Sequence, residues 1–488
     1  MLEPHFLIKI IRSHYIIALY LLFTLLWLPF FTLPFSHDES VFIFIGRGIT
    51  QGQVLYKDLF DNKGPFLYLV YAALWGLFGL SEVYYRVVFY FFVIISAILL
   101  RKISKELFPS LNPRITEISY LLLMSIPTSI PFAISETLVN LLIISAATLI
   151  LEYKKRQSSL YLVASGFLFS LCILTNFLSV FSLPFVLWLL LEVSKANQKE
   201  KSLYGTSPHT LTIFFLSAII PHLIFSFYLL TSQSLAAFME VISVFAPAFY
   251  IKFANLPYLL IFLTFFLPFI RQNERNAVAC AFSLTLSYIP SLNVTPTLTS
   301  HYSIFYFPFL SLLIPLTYKN FKILHPTIQV LVIMYLLNIY LNPFIDNNLK
   351  VSYLYDNDAY SKERTLAYKE LYSNFSKNIS GKDIAVFSYD ISPYLYLNST
   401  PKIRYPYFIY LFSYTKINYT IEAEYSKRMS ESPFEYIIIG QDLYGVSEVP
   451  QSVMEHLKNN YTLLYSKEFS PERLSHLGSS KLLLYKRN

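Results

Sequence analysis

Phe66-Leu67-Tyr68-Leu69-Val70-Tyr71-Ala72-Ala73-Leu74-Trp75-Gly76-Leu77-Phe78-Gly79-Leu80 is the stretch on which the architecture turns. It follows a Gly64-Pro65 break and carries Gly76 and Gly79. It is apolar but falls short of the roughly 20 residues that a membrane-crossing helix needs. The surrounding lysines and arginines decide its role, because short basic loops stay on the cytoplasmic side. Take the segment with Lys9 and Arg12 as cytoplasmic and lay 66–80 along the membrane surface. Arg101, Lys102, Lys105 and Arg114 then face inside, as do Lys154, Lys155 and Arg156, then Lys195, Lys199 and Lys201, then Arg271 and Arg275, then Lys319 and Lys322. The opposite loops 133–137 and 291–301 carry no Lys or Arg, and loop 231–255 carries only Lys252. Were 66–80 to cross, every later basic loop would flip outside. The segment therefore reads as an interfacial helix.

Around it lie about eleven expected spans: 15–35, 87–100, 115–132, 138–152, 160–175, 177–191, 210–230, 256–270, 276–290, 302–318 and 326–342. Composition agrees. The 488 residues are 55% hydrophobic and only 14% charged, against roughly 25% charged in soluble domains. The formal charge of +8 does not imply nucleic acid, because the basic residues sit in short loops between apolar runs. Cys172 and Cys280 both fall inside apolar runs, which implies neither a disulfide framework nor a CxxC metal site. The first apolar run, Tyr15 to Phe35, has span length, and no A-x-A cleavage site follows it.

The fold class expected is a polytopic α-helical membrane protein with a small C-terminal extracytoplasmic α/β domain. Residues 1–344 form the membrane domain, with 36–86 as its first extracytoplasmic loop, and 345–488 form the second domain. In the latter, β-like runs at Ile384–Tyr389, Tyr436–Gly440, Tyr461–Ser466 and Lys481–Lys486 alternate with helix-compatible stretches near 361–378 and 450–460.

The outer face collects the polar residues. After the first span comes Ser36-His37-Asp38-Glu39, whose Ser36 and Glu39 have capping-box spacing. Gly52-Gln53-Val54-Leu55-Tyr56-Lys57-Asp58 follows, then Lys63-Gly64-Pro65, Leu77-Phe78-Gly79 and Arg86. From spacing alone, Asp38 and Glu39 fit a helix start, Lys63 an interfacial anchor, Glu136 a helix-start carboxylate and His301 an interfacial histidine.

In this order, the same features resemble the first extracytoplasmic loop of the GT-C glycosyltransferases. The nearest group is glycosyltransferase family 39, the protein O-mannosyltransferase and aminoarabinose transferase relatives. Those proteins carry an Asp-Glu pair after the first span, a Gly-x-x-Tyr-x-Asp stretch, a Lys-x-Pro, an aromatic helix ending Leu-Phe-Gly, and an Arg opening the next span. The detailed match covers about 50 residues. Glu136 in Ser135-Glu136-Thr137, and His301-Tyr302 before a span containing Pro308, also fit. One departure stands out: relatives often have Lys after Thr in the span near 175, where this chain has Thr175-Asn176.

The resemblance implies an inverting glycosyltransferase that takes a sugar from a polyprenyl-phosphate donor at the extracytoplasmic face. It makes Asp38 the general base and Glu39 its catalytic neighbour. Lys63 and Arg86 become the cations for the donor phosphate, and Glu136, His301, Tyr56 and Asp58 become acceptor-side or supporting residues. No cofactor is implied. A divalent metal through His301 and an acidic partner stays open, although no metal-ligand spacing is present. The expected partners are the lipid-linked donor, membrane lipids, and a protein, lipid or polysaccharide acceptor, with no nucleic acid. The expected location is a bacterial inner membrane. The competing classes are a transporter or flippase for a lipid-linked sugar and an inactive scaffold. A transporter predicts paired inverted halves with midplane polar residues, which this sequence lacks.

Overall fold

A computed structural model describes residues 35–125, 134–200, 209–245, 304–305, 307–321, 415–441, 451–469 and 480–488, together with most of 366–404, parts of 17–32 and a few isolated positions. The expected spans 256–270, 276–290 and 326–342 lie almost wholly outside these residues. The chain divides into two compact units. The first is Met1–Thr32, Val83–Phe225 and Phe249–Leu341. The second joins Leu33–Glu82, Ser226–Ala248 and Asn342–Asn488.

The first unit is helical. It contains α3 (Glu82–Leu107, whose first residue belongs to the second unit), α4 (Pro113–Leu123), α5 (Ser135–Arg156), α6 (Ser159–Ile173), α7 (Leu183–Glu200), most of α8 (His209–Thr231) and α10 (Phe307–Phe321). Among the described residues, four segments, Glu82–Leu107, Ser135–Arg156, Phe177–Lys195 and His209–Thr231, are long and apolar enough to cross a membrane. The protein is an integral membrane protein.

Polar side chains stitch these helices together where apolar packing against lipid gives no direction. Glu117 of α4 takes the Tyr20 hydroxyl and Arg101 of α3, the latter at 3.1 Å. Asn140 of α5 donates to the Ile304 carbonyl at 2.8 Å. Gly166 lets α6 meet α8: a Cβ there would lie 2.2 Å from the Phe214 carbonyl oxygen.

The second unit begins with α1 (His37–Thr50) and α2 (Pro65–Phe78). At 1.5 Å per residue the 14 residues of α2 extend about 21 Å, short of a hydrocarbon core roughly 30 Å thick. Pro65 opens the helix where its missing N–H costs nothing. Gly79 closes it at a φ of 59°, a left-handed value that favours glycine.

The two helices cross at Gly46, where a Cβ would stand 2.6 Å from the Tyr71 carbonyl carbon and 2.7 Å from the Ala72 nitrogen. Backbone cannot yield as a side chain can. Gly46→Ala is therefore expected to force the helices apart at a cost of about 1–3 kcal/mol. Gly76→Ala, in the same helix pair but with open space around it, should be neutral or stabilising by up to about 1 kcal/mol. Thermal unfolding of the two variants side by side checks this, and equal melting would rule out the tight crossing.

Residues 231–255, expected as a plain loop, contain α9 (Leu235–Phe245). The C-terminal part of this unit holds a four-stranded sheet, ordered β1-β2-β4-β3. Its strands are β1 (Ile384–Phe387), β2 (Tyr436–Gln441), β3 (Tyr461–Phe469) and β4 (Ser480–Arg487). They lie where the sequence has its β-like runs. The β1–β2 pair is parallel and the other two pairs are antiparallel. A parallel pair needs a crossover, and the segment between holds α11 (Ser392–Tyr396) and α12 (Thr415–Glu431). The Phe387 and Tyr425 rings meet between sheet and α12, tilted by 46° with their centroids 5.0 Å apart. A helix over 366–379 and α13 (Gln451–Asn460) match the two helix-compatible stretches.

Candidate active site

Ser36 is the N-cap of α1, and the capping box is complete. The Glu39 backbone N–H donates to the Ser36 hydroxyl at 3.3 Å, and Glu39 Oε2 accepts the Ser36 backbone N–H at 2.8 Å. The buried Glu39 carboxylate thus has a structural task at the helix start. Asp38 sits beside it in the first turn, half-buried, where the helix dipole favours negative charge.

The loop that follows is built around two tyrosines. Tyr56 is fully buried, with φ at 65°. That left-handed value is unusual for a bulky side chain, so its surroundings must hold it. Its backbone N–H donates to the Leu59 carbonyl at 2.9 Å, and its ring packs on Phe238 at 5.1 Å. Its hydroxyl donates to the Lys63 carbonyl at 2.8 Å. Burial, with Asp61 and Tyr228 adding to it, pushes the Tyr56 phenol well above its ordinary pKa, so it stays a donor. Tyr68 works from α2: its hydroxyl donates to Asp61 and accepts the Lys63 backbone N–H at 3.2 Å. Lys63, itself buried, thus has both backbone groups fixed by phenols. Asp58 is exposed and closes a turn, its Oδ2 accepting the Val54 N–H at 2.8 Å.

Two arginines absent from the expected set tie this loop to the C-terminal part of the same unit. Arg47 of α1 is buried, its guanidinium donating to the carbonyls of Tyr394, at 3.0 Å, and of Ser399. Phe44 and Trp75 rings lie 5.6 and 5.8 Å from its guanidinium carbon. Burial lowers its pKa to about 10. Arg404 donates through Nε to the Tyr56 carbonyl at 3.0 Å and pairs with Glu240 of α9 at 2.5 Å. Its backbone accepts the Phe60 N–H at 3.2 Å and donates to Glu424 of α12, also at 3.2 Å. Burial raises the Glu424 carboxyl, and the Arg404 contact partly offsets it.

The second unit therefore holds Asp38, Glu39, Tyr56, Asp58 and Lys63. Arg86 and Glu136 belong to the first unit and are buried there. Glu136 lies in the first turn of α5 and accepts the Asn176 amide at 3.2 Å. That amide also reaches the Ser135 hydroxyl, and its oxygen caps the following turn at Leu178. The residue that departs from the family pattern is thus the one that holds Glu136, with a neutral amide where a lysine would place a charge. His301 lies outside the described residues. Among the described residues no group of three or more His, Cys, Asp or Glu could hold a metal ion.

No protein-family model matches the chain, and no curated protein matches it. Solved structures do. ArnT from Cupriavidus metallidurans in the apo state superposes with a TM-score of 0.57, covering 97% of this chain and 98% of that one. The chain shares the fold of that structure. Only 12% of aligned residues are identical, so the likeness is one of fold. The archaeal oligosaccharyltransferase AglB from Archaeoglobus fulgidus, in complex with an inhibitory peptide and a dolichol-phosphate, is a looser match. It has a TM-score of 0.48, 10% identity, and coverage of 94% of this chain and 74% of that one.

Proposed function

We propose that the protein is an inverting glycosyltransferase. It moves a sugar from a polyprenyl-phosphate donor to an acceptor at the extracytoplasmic face of a membrane, in a bacterial inner membrane. The observation that carries the reading is the loop from Asp38 to Lys63. In a chain that shares the fold of ArnT, it bears the ordered motif of the GT-C glycosyltransferases, and a left-handed Tyr56 and two phenol contacts hold it rigid. Strained backbone of this kind clusters at functional sites and persists only when its surroundings over-determine it.

Asp38 acts as general base. Its carboxylate takes the proton from an acceptor hydroxyl or amine as that atom bonds to the anomeric carbon. The bond from the anomeric carbon to the phosphate oxygen breaks, and its electron pair leaves on polyprenyl phosphate. One displacement inverts the anomeric centre. The Lys63 ammonium balances the charge that grows on the departing phosphate, and its fixed backbone saves reorganisation at that moment. Glu39 keeps the helix start in place through its cap. The lipid tail of the donor explains why such a catalyst is membrane-embedded.

The test is a transfer assay on purified protein in lipid, offered a panel of polyprenyl-phosphate sugars with cell-envelope extract as acceptor. Release of polyprenyl phosphate from one donor, with label appearing in the extract, is the expected result and names the sugar. Folded protein that releases nothing from any donor would move the assignment to a flippase or scaffold.

A further inference from the structure

At one end of α3, the last two turns and the start of α4 line an open cavity of about 420 Å³. It is lined by Arg101, Lys102, Lys105, Asn112, Pro113 and Arg114. That volume is in the range of small-molecule pockets, roughly 300–1,000 Å³. Lys102 and Lys105 are exposed and Arg101 and Arg114 half-buried, so four cations converge on one concavity open to an incoming anion.

Among the described residues only one of the four has a carboxylate partner: Arg101 pairs with Glu117 at 3.1 Å. Glu106, next along the helix, is taken by Lys155 at 2.7 Å. Lys102, Lys105 and Arg114 are left facing the cavity without a counter-charge among those residues. The rule that basic loops orient helices accounts for the charges but not for a concavity lined by unneutralised ones. The next basic cluster makes the contrast. In Lys154, Lys155 and Arg156, Lys155 pairs with Glu106 and Arg156 with Glu152 at 3.2 Å.

The cavity is also braced. Thr116 donates to Ser104 at 2.8 Å between α4 and α3, and the Tyr20–Glu117–Arg101 contact adds a third helix. Its level along α3 fits the membrane surface. The 26 residues of α3 extend about 39 Å, longer than the roughly 30 Å hydrocarbon core, so its charged last turns emerge at headgroup depth. Basic pockets between membrane helices at that depth suit anionic headgroups.

We propose that this cavity binds the phosphate headgroup of an anionic membrane lipid. Lys102, Lys105 and Arg114 supply the charge, and the helix start at Pro113 adds its positive dipole end. The lipid would then fasten α3 to α4. This site is independent of the transfer reaction.

The experiment titrates the full chain in neutral detergent with short-chain phosphatidylglycerol, short-chain phosphatidylcholine and inorganic phosphate, reading bound lipid by native mass spectrometry. The cavity variant Lys102→Gln/Lys105→Gln/Arg114→Gln is compared with the control Lys154→Gln/Lys155→Gln/Arg156→Gln. Expected is saturable phosphatidylglycerol binding by the wild type and the control. About fivefold is lost per cavity charge removed, on the order of a hundredfold for the triple. Should the triple variant not fold, Arg114→Gln alone must still bind about fivefold more weakly. Three results would overturn the proposal: no saturable phosphatidylglycerol binding, an equal loss in the control, or inorganic phosphate binding as tightly as the lipid. The last would make a free anion the ligand.

Discussion

Asp38→Asn lowers the transfer rate by about 10²–10⁴-fold, the range over which a positioned general base contributes, and leaves the melting temperature almost unchanged. The two expectations have separate origins. Asparagine matches aspartate in shape, and the Ser36–Glu39 cap that starts α1 does not use the Asp38 side chain. The amide cannot accept the acceptor's proton, so the loss falls on kcat while KM for the donor moves little. Comparing polyprenyl phosphate release by the two proteins, alongside their thermal unfolding, checks both. A variant that transfers at the wild-type rate would remove Asp38 as the base. The reaction would then have to find another proton acceptor.

Arg47→Ala produces the largest loss of stability. The guanidinium is buried and serves the carbonyls of Tyr394 and Ser399. Removing it takes the donor from the buried Ser399 carbonyl, at about 1–3 kcal/mol, and opens a void beside Phe44 and Trp75, while the Tyr394 carbonyl keeps the Ser399 N–H at 3.0 Å. The expected loss is about 2–4 kcal/mol. Arg47→Lys should fall between, because an ammonium lacks the fork that reaches two separated carbonyls. Thermal unfolding in detergent, together with limited proteolysis after residue 342, reads the effect. Unchanged melting for the alanine variant would mean that water replaces both contacts without cost.

The architecture was legible wherever the sequence carries a local signal. Short, continuous apolar runs at Ile384–Phe387 and Tyr436–Gly440 mark strands, Gly64-Pro65 marks the start of α2, and Ser36 with Glu39 marks the start of α1. Helix α12 gives little local signal, because Thr415–Glu431 is polar almost throughout and packs through a few residues such as Tyr425 and Met429. The candidate site divides in the same way. Asp38 and Lys63 stand in a motif that can be read along the chain. Arg47 and Arg404 cannot be found so, since their partners lie 347 and 348 residues away. Within an apolar stretch Arg47 looks like an interfacial charge. Asn176 looked like a lost lysine until its amide was placed on Glu136. Tyr56 gave no sign of its backbone angle, because nothing about a tyrosine in a loop announces a left-handed φ.

The clamp between the first loop and the C-terminal part also sets an order of events during biosynthesis. Arg47 is made 352 residues before Ser399, and Tyr56 348 residues before Arg404. At about 5–20 residues per second of synthesis, α1 and its loop wait roughly 20–70 s for the groups that complete them. During that time the intervening membrane spans must enter the bilayer. The buried Arg47 and the left-handed Tyr56 therefore acquire their full set of contacts only once residues 394–404 have been made. A chain stopped before residue 399 would leave the proposed catalytic loop unfinished, so truncation ahead of that point should yield membrane-inserted but inactive protein.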